Sequence, residues 1–393
     1  MRAVSRPLES PPDLNDVARG DGVLFVRDGV GVAGRGVAAR VPIDDVVQFL
    51  AAIDHHDDTG GVAHGPIALG SVPFVPGAPA ELVVPAVVVG KGADGCAWMT
   101  VIDGAEARLR PPSPPIPSAA SYELRPAVDP EHYLAAVAAA RDAVAAGRLA
   151  KAVIARPVVV SCDRPIDVHA VLHRLKASFG SSYRYSVDGL IGASPELLVS
   201  VDGDIVRSHP LAGTAPRTGD LDNDRRLADE LVASTKNQIE HRVVIDMVHD
   251  TLLPWVSYLD WQPEPTIVTV ANVQHLGSEV EGRLSQPQPN VLELVRALSP
   301  TPALGGHPRD AALALIADVE GFERGRYGGA VGWVDAHGNG TWAVAIRCAE
   351  LTEDRMRARL VAGGGIVADS DPLAELAETQ AKFQAMLSAI VRP

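Results

Sequence analysis

Cysteine is scarce: Cys96, Cys162 and Cys348 are the only three in 393 residues, far apart and without paired spacing. That spacing indicates neither a disulfide framework nor a zinc site, and it suits a reducing cytoplasm. Aromatic residues are few as well, 4% of the chain against 47% apolar and 21% charged. Such a balance belongs to a soluble globular protein whose core is built from Ala and Val rather than rings. Positive charge is in deficit, with a formal net charge of −14. The resulting field repels nucleic acid and anionic membrane alike, so neither is an expected partner. Long hydrophobic runs are missing too. Leu82 to Val89 is about half a membrane span and reads as a buried strand. Met1 to Leu14 lacks the apolar run of a secretory signal, and a cytoplasmic protein is the expectation.

The acidic field also repels a small anionic substrate. A site for one must therefore carry its own cations, from Arg, Lys or a metal.

At this length the chain has room for one large or two ordinary domains. The segment Pro111, Pro112, Ser113, Pro114, Pro115, Ile116, Pro117 lacks backbone donors and marks the best boundary. It separates an N-terminal part, 1–118, from a C-terminal domain, 119–393. Before it, Val23 to Val26, Val83 to Val89 and Ala97 to Ile102 read as strands. Gly90 to Gly95 spells GxGxxG, but a strand pattern follows it, which predicts a hairpin turn rather than a dinucleotide loop. Asp54-His55-His56-Asp57-Asp58 reads as an exposed loop.

After the boundary, Pro130 to Ala146 predicts a helix stopped by Gly147. Strands are expected at Ala152 to Val160, Tyr183 to Val187, Leu197 to Val201 and Asp204 to Ser208. Asp224 to Leu253 reads as one long helix, with Leu227, Leu231, Ile239, Val243, Met247 and Leu252 as its apolar stripe. Val291 to Leu298 and Pro308 to Val319 are further helices. Gly329 to Val334, Trp342 to Cys348 and Met356 to Ala362 are strands, the first two joined as a hairpin through Ala336 to Gly340. A final helix starts after Asp371 with Pro372 at its first position, its stripe being Leu373, Leu376, Phe383, Met386, Leu387 and Ile390. No internal repeat is present, and strict βαβ alternation is missing, so the expected class is α+β.

Four constellations could carry chemistry. Glu375, Glu378 and Lys382 fall at i, i+3 and i+7 on one face of the final helix. Alone they read as a solvated face. Just upstream, Ala362-Gly363-Gly364-Gly365-Ile366 predicts a triple-glycine turn whose bare N–H groups suit an anion. Glu240, within Ser234 to His241, offers a second helical carboxylate; a surface cluster is its plain reading, whereas Mg²⁺ needs few carboxylates beyond water and substrate oxygens. Glu196, in Gly192 to Leu198, sits at the edge of apolar sequence, where desolvation raises a carboxyl pKa and suits a general acid. It also fits a plain turn leading into a strand. Lys151 is one ammonium inside the apolar pattern Ala150 to Arg156; most such lysines snorkel, and a base role needs burial or a cationic neighbour.

Taken together, these segments resemble the chorismate-binding family, which includes isochorismate synthase, salicylate synthase, anthranilate synthase component I and aminodeoxychorismate synthase component I. The matching stretches run in order: Ala150 to Arg156, Gly192 to Leu198, Pro210 to Thr214, Ser234 to His241, Val273 to Leu276, Ser299 to Gly306, Tyr327 to Gly332, Ile346 to Cys348 and Ala362 to Lys382. The resemblance implies large, mainly antiparallel sheets packed face to face with helices outside, the N-terminal part being packed into the same fold. The details are most similar to isochorismate synthase, which moves the ring hydroxyl of chorismate from C4 to C2 using water. By that resemblance Lys151 is the base for water and Glu196 the acid for the departing hydroxyl. Glu240 and Glu375 are implied as Mg²⁺ ligands, with Glu378 beside them. Tyr327, Arg347, Lys382 and the backbone at Gly213, Thr214, Gly363 and Gly364 are implied to hold the substrate carboxylates. Amine-adding relatives take ammonia from an amidotransferase partner, or use a lysine in the segment matching Pro210 to Thr214, where this chain has Ala212. They also usually lack a lysine matching Lys151. The resemblance therefore implies water as nucleophile, with no obligatory amidotransferase subunit. Salicylate synthase, which shares Lys151 and the acid, is the alternative.

Overall fold

Several strand segments are covered on both faces, polar residues such as Arg184 included. Tyr183–Val187, Leu190–Ser194 and Ala330–Asp335 are buried along their whole length. The computed structural model describes residues 1–61, 64–103, 105, 119, 121–270 and 273–391. Among them the strands form sheets of 13, nine and three strands. Pairing is antiparallel apart from Arg2–Pro7 beside Asp54–Asp57. The two large sheets lie face to face, with Phe25, Tyr185 and Val187 of one sharing a core with Leu69, Val199, Val331 and Trp342 of the other. Helices Val168–Phe179 and Pro372–Val391 cover the larger sheet through Leu172, Leu175, Phe383 and Met386. Helices Pro130–Ala145 and Arg309–Val319 close over Ile154 with Tyr133, Val137 and Ile316. This is the expected α+β class. The proline-dense boundary, 111–117, lies outside the described residues. Strands from either side of it interleave: Val23–Arg27 pairs with Tyr183–Val187, and Ile67–Val72 with Ala330–Asp335. Among the described residues no helix is long and apolar enough to cross a membrane.

Four local expectations are corrected. Val83 to Val89 is not one strand: Glu81–Val84 belongs to the nine-stranded sheet and Val87–Lys91 to the 13-stranded one, because Pro85 interrupts the donor series. The long helix is two, Leu221–Ala233 and Thr235–Leu252. Ser234, extended at φ −73 and ψ 108, ends the first and caps the second, its Oγ accepting from Asn237 N at 3.3 Å. The break shifts the helical phase, so Ile239 is 62% exposed while Val244, Ile245 and Val248 are buried. Asp54–Asp57 is an edge strand rather than a loop, with His55 Nε2 2.8 Å from Ser5 Oγ. Leu373 is exposed, whereas Glu375 in the same turn is buried, so the turn presents its carboxylate rather than its leucine to the interior. The helix start itself is as expected: Ala374 N donates to Asp371 Oδ1 at 2.8 Å. Gly90 and Lys91 end the strand Val87–Lys91, and Gly92 to Cys96 make the expected hairpin turn into Ala97–Ile102.

Two buried arginines position the site. Arg156, on the strand Lys151–Cys162, donates to Thr379 Oγ1 at 2.8 Å and Gln380 Oε1 at 3.1 Å and lies over Phe383, which seats the final helix on that strand. Arg324 pairs with Glu320 in the interior, and the two complete the hydrogen bonds of the strand where no neighbour does. Ala155 N donates to Glu320 Oε1, and Val153 O accepts from Arg324, both at 2.7 Å.

Candidate active site

The site forms where the chain passes between sheets. Leu190–Ser194 belongs to the 13-stranded sheet and Leu197–Asp202 to the nine-stranded one, so Pro195 and Glu196 make the crossing. Gly340–Val344 and Cys348–Leu351 cross back through Ala345, Ile346 and Arg347. Trp342 to Cys348, read as one strand, is therefore broken, and Arg347 stands at φ 51 in the left-handed region. The two crossings are neighbours, for Ala193 N donates to Arg347 O and Val344 N to Glu196 O, each at 3.1 Å. The three-stranded sheet adds a third wall: Leu211–Pro216 pairs with Val273–Gly277 across a bulge at Gly213, whose φ is 71.

A cavity of about 260 Å³ opens between these walls. It is lined by Lys151, Glu196, Gly213, Thr214, Glu240, Tyr327, Arg347, Gly363, Glu375, Glu378 and Lys382, which are all the expected site residues except Gly364. Ala212 lines it as well. A larger cavity, about 640 Å³, opens beside Tyr183, Trp98 and Trp333 and contains none of them.

The triple-glycine turn is corrected: Gly363, Gly364 and Gly365 continue the strand Arg357–Ile366, paired opposite Ala155, Ile154 and Val153. Their lack of side chains clears space for charged groups. A Cβ on Gly364 would stand 2.5 Å from Glu375 Oε2, and one on Gly365 would stand 2.6 Å from Lys151 Cε and 3.1 Å from Glu240 Oε1. Two helices and one strand thereby bring their charges onto a bare patch of backbone. Lys151 Nζ donates to Glu240 Oε1 at 2.6 Å, and Lys382 Nζ reaches Glu378 Oε1 at 2.6 Å and Gly363 O at 2.7 Å. Ser370 Oγ donates to Glu375 Oε1 at 2.9 Å.

Electrostatics separate the carboxyls. Burial pushes Glu196 up to about 8, against the opposing pull of the Leu211 N–H, Lys151 and Arg347. Burial acts the same way on Glu240 and Glu378, yet Lys151 and Lys382 outweigh it and hold both below the ordinary value. Glu196 is thus neutral at pH 7 while Glu240 and Glu378 are charged. His275 had no role in the sequence reading. Burial, then the nearby Arg347, depresses it to about 3, so the ring is neutral. Gly213 O, 3.0 Å from Nδ1, can only accept, which places the proton on Nδ1 and leaves Nε2 to accept from Arg347 Nη2 at 3.3 Å. Arg347 Nε is buried without a partner among the described residues, a donor ready for an anionic oxygen. Tyr327, pushed by burial to about 12, keeps its hydroxyl proton.

Glu240, Glu375 and Glu378 form an all-oxygen donor set suited to a hard divalent cation. Their oxygens are turned to Lys151, Ser370 and Lys382 and do not converge within 4.8 Å of one another, so a bound ion would draw them in. The glycine patch makes this testable. Gly364→Ala meets the carboxylate end of the Glu375 side chain, with Glu378 Oε1 next at 3.8 Å and no backbone among the close atoms, so the variant should fold with a Tm close to wild type. Were Mg²⁺ the ion held by this set, displacement of Glu375 should weaken its binding by roughly tenfold or more, a loss of at least about 1.4 kcal/mol. Calorimetric titration with Mg²⁺ checks it, and wild-type affinity would show that Glu375 needs no cleared backbone.

A family model described as chorismate binding enzyme matches residues 82–391. Isochorismate synthase DhbC of Bacillus subtilis (strain 168) is 38% identical over 336 residues, covering 83% of this chain and 81% of that protein. Isochorismate synthase EntC of Escherichia coli (strain K12) is 36% identical over 349 residues, covering 87% and 85%. The solved structure of MenF, the menaquinone-specific isochorismate synthase from Escherichia coli, matches with a TM-score of 0.84 over 99% of this chain and 94% of that one. At 23% identity it speaks for the fold alone. The ordered motifs, the paired sheets that carry them and these relatives agree, and the chain belongs to the family of chorismate-binding enzymes.

Proposed function

We propose that this protein is an isochorismate synthase, converting chorismate to isochorismate by adding water at C2 as the C4 hydroxyl leaves. The observation that carries the reading is one cavity holding a buried lysine, Lys151, together with a carboxyl, Glu196, that burial raises to about 8. An acid and a base acting at two ends of an allylic system need that separation of roles. Glu196, neutral at pH 7, gives its proton to the departing C4 hydroxyl. Lys151, an ammonium while paired with Glu240, releases a proton to solvent and as the amine takes one from the incoming water; Glu196 is reprotonated from solvent to close the cycle. Atoms balance, since one water enters and one leaves.

Arg347, Lys382 and Tyr327, with the backbone at Gly213, Thr214, Gly363 and Gly364, hold the two substrate carboxylates. They supply the local cations that a chain of net charge −14 demands. Glu240 and Glu375, with Glu378 beside them, would hold Mg²⁺, which supplies a Lewis acid for a substrate carboxylate and a counter-charge for Glu240. Ala212 supports water rather than an amine as nucleophile, because it puts no lysine into the cavity wall. No amidotransferase subunit is then required. The three free thiols suit the cytoplasm.

Product analysis after incubation with chorismate and Mg²⁺ tests the reading. Isochorismate, formed reversibly because the two isomers carry equal charge, is the expected product. Salicylate with pyruvate, formed without a second enzyme, would replace it with the salicylate synthase reading.

A further inference from the structure

Outside the cavity, one cluster of side chains is arranged for a ligand of its own. His169 and His173 lie one turn apart on the helix Val168–Phe179, so both rings leave the same face. Asp16 faces them from the short helix Leu14–Ala18, which is packed against that face through Leu14, Val17, Val168 and Leu172. Both helices start from an aspartate cap, Asp13 and Asp167, and Asp13 is also paired with Lys176.

The three polar atoms converge on one point. His169 Nε2 is 2.9 Å from Asp16 Oδ1, His173 Nε2 is 3.0 Å from the same oxygen, and the two nitrogens are 3.0 Å apart. Hydrogen bonding alone does not satisfy this triangle. Each neutral Nε2 offers either one N–H or one lone pair in the ring plane. If both rings donate to Asp16, two donors are left facing each other. If one ring donates to the other, a nitrogen lone pair is left against a carboxylate oxygen. A cation seated about 1 Å off the plane of the triangle makes all three contacts attractive. Atoms spaced this way share a point about 2.1 Å from each, the length of zinc bonds to imidazole nitrogen and carboxylate oxygen.

We propose that Asp16, His169 and His173 bind a borderline divalent cation of the Zn²⁺ type. Paired histidines at i and i+4 with a carboxylate are a zinc donor set, and imidazole selects such ions over Mg²⁺. No glutamate stands between the histidines to act as a base, the intervening residues being Ala170, Val171 and Leu172. The ion is therefore structural: it clips the segment around residue 16 to a helix more than 150 positions later in the chain. All three side chains are partly exposed, which leaves room for water as a fourth ligand.

The experiment uses metal-free full-length protein in excess Mg²⁺, which keeps the all-oxygen glutamates occupied. Calorimetric titration with Zn²⁺ should show one equivalent bound. In H169A/H173A the affinity should fall at least tenfold, while kcat/KM for chorismate stays unchanged because neither histidine lines the cavity. Co²⁺ as a probe should give visible d–d absorption that the double variant lacks. Zn²⁺ should raise the Tm of the wild type but not of the variant. Absence of stoichiometric Zn²⁺ binding in the wild type, or equal binding in the variant, overturns the site. Should the double variant fail to fold, His173→Gln at the more exposed position repeats the titration.

Discussion

Lys151→Ala is expected to lower kcat for chorismate by a factor on the order of 10²–10⁴, the usual contribution of a positioned base. Its effect on stability should depend on Mg²⁺. Lys151 is 4% exposed, and its ammonium is the partner that holds Glu240 ionised. Without it Glu240 faces Glu378 with a buried charge and only Lys382, already paired with Glu378, as counter-ion, a loss of up to about 3–5 kcal/mol by comparison with buried pairs. Under the proposed function Mg²⁺ at Glu240 would supply that counter-charge, and the deficit in Tm should then shrink as Mg²⁺ is raised. Lys151→Ala with Glu240→Gln removes both charges and should recover stability without recovering turnover. Thermal melts across a Mg²⁺ series, beside steady-state rates, check the whole set. Full activity in the single variant removes the base assignment. A Tm deficit indifferent to Mg²⁺ separates Glu240 from the metal.

How much of this was legible in the sequence depended on whether the cause was local. Glu375, Glu378 and Lys382 could be read because they share one helix whose start, Asp371 and Pro372, is signalled within the same few residues. The strand Tyr183–Val187 and the helix Val291–Leu298 carried equally local patterns and stand where they were expected. Glycines 363–365 misled because glycine is the ordinary sign of a turn. Their reason is three-dimensional: Lys151, Glu240 and Glu375 come from three distant segments and need the same bare backbone. His275 lay within the matching stretch Val273 to Leu276, but its role could not be read there, since it comes from Gly213 on a partner strand and Arg347 on a sheet crossing. The crossings themselves were hidden inside apolar runs, which report burial but not which of two sheets does the burying. Ser234 is the intermediate case, a good cap residue that the continuous helical pattern around it disguised.

Glu196→Gln carries the second large effect, because glutamine keeps the shape and loses the transferable proton. Turnover should fall by a factor on the order of 10²–10⁴, with little change in substrate affinity. The sign of the pH dependence follows from the raised pKa. In the unfolded chain the carboxyl titrates near its ordinary value of 4.5, whereas burial moves it to about 8 in the fold. The native state therefore holds a proton that the unfolded chain has released between those values. The stability belonging to that proton is full below about pH 4.5 and is lost as pH rises to about 8. Above it, the fold must carry a buried ionised carboxylate. Wild-type Tm should thus decline relative to the glutamine variant across that window, and the variant, having nothing to ionise, should be the more stable at alkaline pH. Catalysis shares the limb: kcat of the wild type should fall as pH passes about 8, when the acid has lost its proton. Melts of both proteins from pH 4 to 9, set beside the wild-type pH–rate profile, decide it. Parallel Tm curves, or a rate indifferent to pH beyond 9, would mean that Glu196 is not the acid and that another proton donor serves the C4 hydroxyl.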